Sequence, residues 1–252
     1  MACTETLPFL LKSLKLPAVA GQWQELASTA EKNHWSYGDF LAHVMDLEWT
    51  LREQKKIERA YKNAKLPVGK TLASFDFSTT TSLNAATVRR MAQDRHWVNE
   101  AQNLILLGPS GVGKTHMAAA IAYGLLELGV SVLFSSTTLL VQMLQLAKVE
   151  LKLKNALERL AKYQLIILDD LGYVKKSEQE TSVLFELIAH RYESGSMLIT
   201  ANQPFSDWEN MFPDAVMAVA AVDRIVHHAT IIKVDGPSYR AQYAKEHNKD
   251  NL

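Results

Sequence analysis

Gly108-Pro109-Ser110-Gly111-Val112-Gly113-Lys114-Thr115 fills every fixed position of the phosphate-binding pattern G-x-x-x-x-G-K-[ST]. The flanks are those the pattern needs. Asn103–Leu107 (NLILL) reads as a buried strand and His116–Leu128 as a helix, so the loop joins a strand end to a helix start. Glycines let the backbone curl until several N–H groups face one anion. The helix N-terminus adds partial positive charge at the same point. The expected nucleotide-binding residues therefore run from Gly108 through Lys114 and Thr115 to His116. Lys114 reaches the β- and γ-phosphates in such a loop, and the Thr115 hydroxyl holds Mg²⁺. A glycine-rich turn that binds nothing would not need the whole pattern in this setting, so ATP with Mg²⁺ is the expected ligand.

Hydrolysis needs a metal ligand and a group that handles water. Leu165–Asp170 (LIILDD) has the form of a Walker B strand, with apolar residues that bury it and two carboxylates at its C-terminal end. Ligands bind at that edge of an open parallel sheet. Asp169 is the expected Mg²⁺ ligand, and Asp170 the residue that orients or deprotonates the attacking water. Related ATPases often have Glu at the second place, one methylene longer, so Asp170 also fits slow turnover. Leu198-Ile199-Thr200-Ala201-Asn202 is a strand whose polar end should lie beside those acids, with Asn202 as a sensor of the γ-phosphate or the water.

Bulk properties narrow the rest. The chain has 252 residues, 48% of them hydrophobic, with 27 Lys+Arg against 27 Asp+Glu. That is an ordinary globular composition with room for one or two domains. Zero net charge means that nucleic-acid contact has to come from a local patch or from several subunits together. Cys3 is the one cysteine, which excludes an intramolecular disulfide framework and fits a reducing cytoplasm. The N-terminal apolar residues are interrupted by Pro8 and Lys12, and neither a signal peptide nor a membrane span is expected.

Residues 1–70 read as a helical domain and residues 71–252 as an alternation of strand and helix. Leu7–Leu16 and Ala18–Lys32 have helical periodicity, and Ser36 or Asp39 is placed to cap a long helix from Phe40 to Ala64. Leu41, Val44, Leu47 and Leu51 are expected to line its apolar face. Arg52, Lys55, Lys56, Arg59, Lys62 and Lys65 crowd its latter half. Such a run is more often a solvated face than a phosphate-contacting surface, although each cation beside DNA would displace counterions. Leu72–Ser78 (LASFDFS) reads as a short link before a helix at Leu83–Arg95. Further strands are expected at Val130–Ser135, Met197–Thr200 and Thr230–Val234. Helices are expected at Thr138–Ala147, Glu150–Lys162, Glu178–Glu193 and Ala215–Ile225, with a short one at Trp208–Phe212. The sum is a parallel sheet with helices on both faces. His227-His228 is an adjacent pair with no sequence-near ligand set and reads as structural.

Several segments together resemble one family. They are Leu168–Tyr173 (LDDLGY), His190–Glu193 (HRYE), Thr200–Phe205 (TANQPF) followed by Trp208, Asp223–His228 (DRIVHH) and Gly236–Arg240 (GPSYR). With the phosphate loop, their order and spacing from about Leu7 to Tyr243 resemble the IstB-like ATP-binding proteins. These AAA+ ATPases accompany the transposase of bacterial insertion sequences and are similar to the helicase loader DnaC. The resemblance implies an AAA+ fold with a parallel five-stranded sheet and a small helical N-terminal domain that binds DNA or a partner. It also implies ATP-driven assembly into a ring or spiral homo-oligomer on DNA, stimulation of a transposase, and a bacterial cytoplasmic setting. On the matching positions it makes Arg224 an arginine finger that completes a neighbouring subunit's site. Arg191 falls in a second segment associated with subunit contacts. Arg240 stands where many AAA+ proteins continue into a helical lid, and it either assists the phosphates or simply finishes the last strand.

A replicative helicase loader would share this chemistry. A small-molecule kinase would need an acceptor pocket and an arginine-rich lid, of which the sequence shows no sign. A non-hydrolysing ATP switch is compatible with the Asp169-Asp170 pair.

Overall fold

The computed structural model describes residues 4–80, 83–172, 177–208 and 214–241. Cys3, Tyr173, Phe212 and Tyr243, named above, lie outside the described residues, and of the helix expected at Trp208–Phe212 only Trp208 is described. The chain divides into two compact units, one up to Arg59 and one from Ala60.

The first unit contains α1 (Leu7–Ser13), α2 (Pro17–Lys32) and most of α3 (Tyr37–Ala64). Proline opens α1 and α2, where its missing N–H costs nothing. Ser36 caps α3: its Oγ accepts the Asp39 N–H at 3.1 Å and donates to Asp39 Oδ2 at 2.6 Å. Leu11, Val19 and Val44 form the core, with Trp23, Leu26 and Phe40 packed against them. The inward stripe of α3 runs through Phe40, Val44 and Glu48, whereas Leu41, expected on that face, is 58% exposed. Glu48, on that stripe, is buried although charged. Its Oε2 accepts the Ala18 N–H at 3.0 Å at the start of α2, and its Oε1 accepts from Arg52 Nε at 3.0 Å. A carboxylate at a helix N-terminus meets both orphan N–H groups and the positive end of the dipole.

The second unit is an α/β sandwich around a sheet of order β2-β3-β4-β1-β5, all parallel. Its helices are α4 (Ala85–Gln93), α5 (His96–Asn99), α6 (Lys114–Glu127), α7 (Thr137–Val149), α8 (Leu153–Leu160), α9 (Glu178–Arg191), α10 (Phe205–Trp208) and α11 (Ala215–Val226). Its strands are β1 (Asn103–Leu107), β2 (Val132–Ser136), β3 (Leu165–Leu171), β4 (Ser196–Ala201) and β5 (Ala229–Lys233). Every residue of β1 and β4 is buried, which is why both are mostly apolar; the polar exceptions, Asn103, Ser196 and Thr200, are hydrogen-bonded. Strand alternation sends Leu104, Leu106, Leu165 and Ile167 to a layer with α4, α5 and α6. It sends Ile105, Leu107, Ile166 and Leu168 to a layer with α7, α8, α9 and α11. The tail of α3 belongs to this unit, because Ala60, Tyr61 and Ala64 pack into the first of those layers.

The helix expected at Leu83–Arg95 forms as α4, Ala85–Gln93, and a short further helix follows it. Asp94 is extended, and its Oδ1 accepts the His96 N–H at 2.8 Å, which starts α5 as a new turn. Between β3 and β4 the pairing slips between Leu168↔Ile199 and Leu171↔Ala201, a bulge that contains both Asp169 and Asp170.

Candidate nucleotide-binding site

The loop Gly108–Gly113 leaves β1 at the C-terminal edge of the sheet and turns into α6, with a cleft of about 620 Å³ above it. Two glycines are required by the packing. A Cβ on Gly108 would overlap the Val234 carbonyl. Gly113, the N-cap of α6, has φ 98°, and a Cβ there would sit 2.7 Å from Phe75 Cε2. Lys114 is buried, and its Nζ donates to the carbonyls of Gly108 at 2.8 Å and Pro109 at 2.7 Å. Burial pulls its pKa below the ordinary lysine value. The Asp170 and Asp169 carboxylates oppose that shift, and the Arg240 guanidinium adds to it.

Across the cleft, β4 lies between β1 and β3, so the acids and the phosphate loop face one another over its C-terminal end. Asp169 is buried, whereas Asp170 is exposed to the cleft and has φ 58°, an unusual conformation for a residue with a Cβ. Thr200 Oγ1 donates to Asp169 Oδ1 at 2.7 Å and accepts the Asp170 N–H at 2.9 Å. Burial raises the Asp169 pKa above the usual carboxylate value, while hydrogen bonds from Thr200 and Thr115 pull it back. A carboxylate beside a Thr115 hydroxyl is a hard-oxygen donor set, which suits Mg²⁺. Asn202 and His116 also line the cleft.

Residues around 70–79, read from sequence only as a link, form a strap over the phosphate loop. Lys70, Ser74, Phe75, Asp76 and Thr79 all border the cleft. His116 fastens the strap: its Nε2 lies 3.0 Å from the Thr71 carbonyl and 3.1 Å from Ser74 Oγ, and its ring meets Phe75 edge-on at 5.2 Å. The aromatic pair Phe75/Phe77 around Asp76 was the available sequence signal. From the other side, the Tyr239 N–H donates to the Gly111 carbonyl at 3.1 Å, and Arg240 borders the cleft.

Arg224 is not brought to this cleft. It lies near the end of α11, with its guanidinium 5.4 Å from the Phe185 ring centre and 5.9 Å from that of Tyr192, and its Nη1 donates to the Ala220 carbonyl at 2.9 Å. Arg191 is 2% exposed and donates to three backbone carbonyls: Tyr163 at 2.6 Å, Gln164 at 2.8 Å and Ser196 at 2.7 Å. Those bonds tie the start of β4 to the approach to β3, so the side chain is committed to the fold and not offered to a neighbour. Burial pulls its pKa down to about 10.

A family model described as IstB-like ATP binding protein matches residues 9–247. The chain is 47% identical over 240 residues to a Sinorhizobium fredii protein named as an insertion-sequence ATP-binding protein, covering 95% of this chain and 80% of that one. It is 38% identical over 234 residues to one named as an ATP-binding protein of insertion sequence IS21 in Pseudomonas aeruginosa, covering 93% and 88%. Among solved structures, the DnaC helicase loader superposes with a TM-score of 0.53 at 21% identity, covering 67% of this chain and 98% of that one. AMPPCP-bound DnaA from Aquifex aeolicus superposes with a TM-score of 0.55 at 19% identity, covering 75% and 57%. At these identities the structural likeness establishes the fold alone, while the sequence matches extend along almost the whole chain. The chain therefore belongs to the IstB-like ATP-binding family, AAA+ P-loop proteins of bacterial insertion sequences.

Proposed function

We propose that the protein is an ATPase that assembles on DNA and stimulates a partner transposase, with each ATP held between two copies of the chain. One observation carries the shared site: the phosphate loop, Asp169, Asp170 and Asn202 meet at one cleft, while Arg224 sits apart from it on α11. An arginine so placed serves phosphate chemistry only in another copy.

In this reading Lys114 leaves the Gly108 and Pro109 carbonyls and engages the β- and γ-phosphates, and the loop N–H groups hold the remaining oxygens. Thr115 and Asp169 would hold Mg²⁺, which would supply positive charge against the phosphates. Asn202 positions a water in line with the γ-phosphorus, and Asp170 accepts its proton as the bond to the β–γ bridging oxygen breaks. The neighbour's Arg224 offsets the charge spreading over the transferred group. Release of the γ-phosphate removes the bond between the copies and loosens the assembly.

DNA contact is assigned to the basic run that begins at Arg52: within the first unit Lys55 and Arg59 on α3 remain once Arg52 is bound to Glu48 and Lys56 to Glu53. Many copies would sum such contacts in spite of the zero net charge of one chain. The work would be done in the bacterial cytoplasm, where the DNA is. A helicase-loader role shares this chemistry, but its support is likeness of fold, whereas the relatives at 38–47% identity are named for insertion sequences.

Electron microscopy of the purified protein with ATP, ADP or no nucleotide, each with and without DNA, tests the assembly. Rings or spirals that need ATP are expected, and a monomer under every condition would refute it. Capture of the transposase encoded beside it separates the transposition role from the loader role, which capture of a hexameric helicase would favour.

A further inference from the structure

We propose a transition-metal site at Glu193, His227 and His228, at the sheet edge opposite the nucleotide cleft. The adjacent histidines lack a third ligand in sequence, and the fold supplies one. Glu193 follows α9 and the histidines follow α11, and their potential ligand atoms all lie within 4.8 Å of one another at the surface.

Both walls of the cluster are anchored to buried structure. Buried Asn103 holds the histidine turn: its N–H donates to the His228 carbonyl at 2.8 Å and its Nδ2 to the Ile225 carbonyl at 2.9 Å. The same side chain reaches the Glu193 side of the cluster through its Oδ1, which accepts the Met197 N–H at 2.9 Å. Arg191 fixes that second wall through the Ser196 carbonyl, and its own carbonyl accepts the N–H groups of Ser194 at 3.1 Å and Gly195 at 3.0 Å. Glu193 is held between them at φ 55°. Such anchoring lowers the ordering cost of bringing three ligands together.

The donor set determines the ion. Two imidazoles and one carboxylate suit Zn²⁺ and its neighbours Co²⁺ and Ni²⁺, while Mg²⁺ prefers oxygen ligands alone. His227 has an outer partner of the kind that metal-bound histidines use, with its Nδ1 3.0 Å from the Tyr192 hydroxyl. The tautomer that donates from Nδ1 to that oxygen leaves Nε2 with the lone pair a metal requires. Three protein ligands leave a position open for water or for a group from a neighbouring molecule. Tyr192 also carries Arg224 over its ring, so a metal here would brace the aromatic seat of that arginine.

The test is titration of Co²⁺ alone into the nucleotide-free, untagged full chain in excess Mg²⁺, followed by visible absorption. Expected is a d–d band that saturates near one equivalent. His228→Ala and Glu193→Gln should each weaken binding about ten-fold or more, the scale of losing a group that shapes a metal site. Glu193→Gln keeps the side-chain shape and decides the question should His228→Ala disturb the turn. Lys114→Ala should leave the band intact, which separates this site from the phosphate loop. The proposal is overturned if no band forms, if occupancy needs a large metal excess, or if binding survives Glu193→Gln unchanged.

Discussion

Thr200 and Asp169 form one unit: the threonine hydroxyl donates to the buried carboxylate at 2.7 Å while the same oxygen accepts the N–H of Asp170 at 2.9 Å. A single β4 side chain thus positions both acids from the neighbouring strand. Sequence placed Thr200 near the acids but assigned it no task, because a hydroxyl that bridges two strands has no signature in one strand's pattern.

The carboxyl of Asp169 is raised by burial, so the folded state holds its proton more tightly than the unfolded chain does. Stability therefore falls as pH rises from the unfolded value through the folded one, and stays reduced above it. Asp169→Asn should melt at a higher temperature than wild type at neutral pH without nucleotide, with a flatter pH slope. It should also lose any extra stabilisation by ATP that depends on Mg²⁺. Thermal melts across pH, with and without Mg·ATP, check both halves. A mutant that melts lower and keeps the Mg²⁺ response would show that Asp169 is not the metal ligand.

Lys114→Ala should abolish nucleotide binding while the empty protein melts close to wild type. Two hydrogen bonds to the loop are lost, but so is the cost of a charged amine held away from water. Isothermal titration with a non-hydrolysable ATP analogue measures this, and unaltered affinity rejects the assignment.

Asp170→Asn should keep ATP binding, lower turnover by roughly 10²-fold or more as expected for loss of a general base, and prolong the DNA-bound assembly. Steady-state phosphate release with DNA present is the measurement. Wild-type turnover in the mutant would mean that Asp170 is not catalytic.

Two arginines on neighbouring helices should behave oppositely. Arg224→Ala should leave folding intact and impair hydrolysis, and mixing it with Asp170→Asn should restore part of the activity if the site is shared. Arg191→Ala should destabilise the fold by on the order of 3 kcal/mol, because carbonyls at the strand starts lose their donors in the core. Denaturant unfolding beside ATPase assays of the mixtures separates the two. Absence of any rescue would count against action in trans.

The elements that sequence exposed were those governed by short-range pattern. The run NLILL became β1 residue for residue, because a strand buried on both faces is apolar wherever its side chains find no hydrogen-bond partner, and only Asn103 finds one. The phosphate loop was legible because its glycines answer to backbone geometry. The strap around Phe75 was not, since nothing periodic holds it and its partners, His116 and Gly113, are distant in the chain. Arg191 was ambiguous for a related reason. An arginine near a helix end reads as surface charge until the carbonyls that surround it are known. Glu48 was missed likewise, since its partner is the first turn of another helix.

In a regular strand successive side chains go to opposite faces, so neighbouring carboxylates would part company, one into each layer. The slipped pairing between Leu168 and Leu171 suspends that rule for a single step. Asp169 can then stay seated against Thr200 while Asp170 swings to the same opening, which makes the irregularity itself a working component. A variant that restored regular alternation there would keep both acids in its sequence and lose their cooperation.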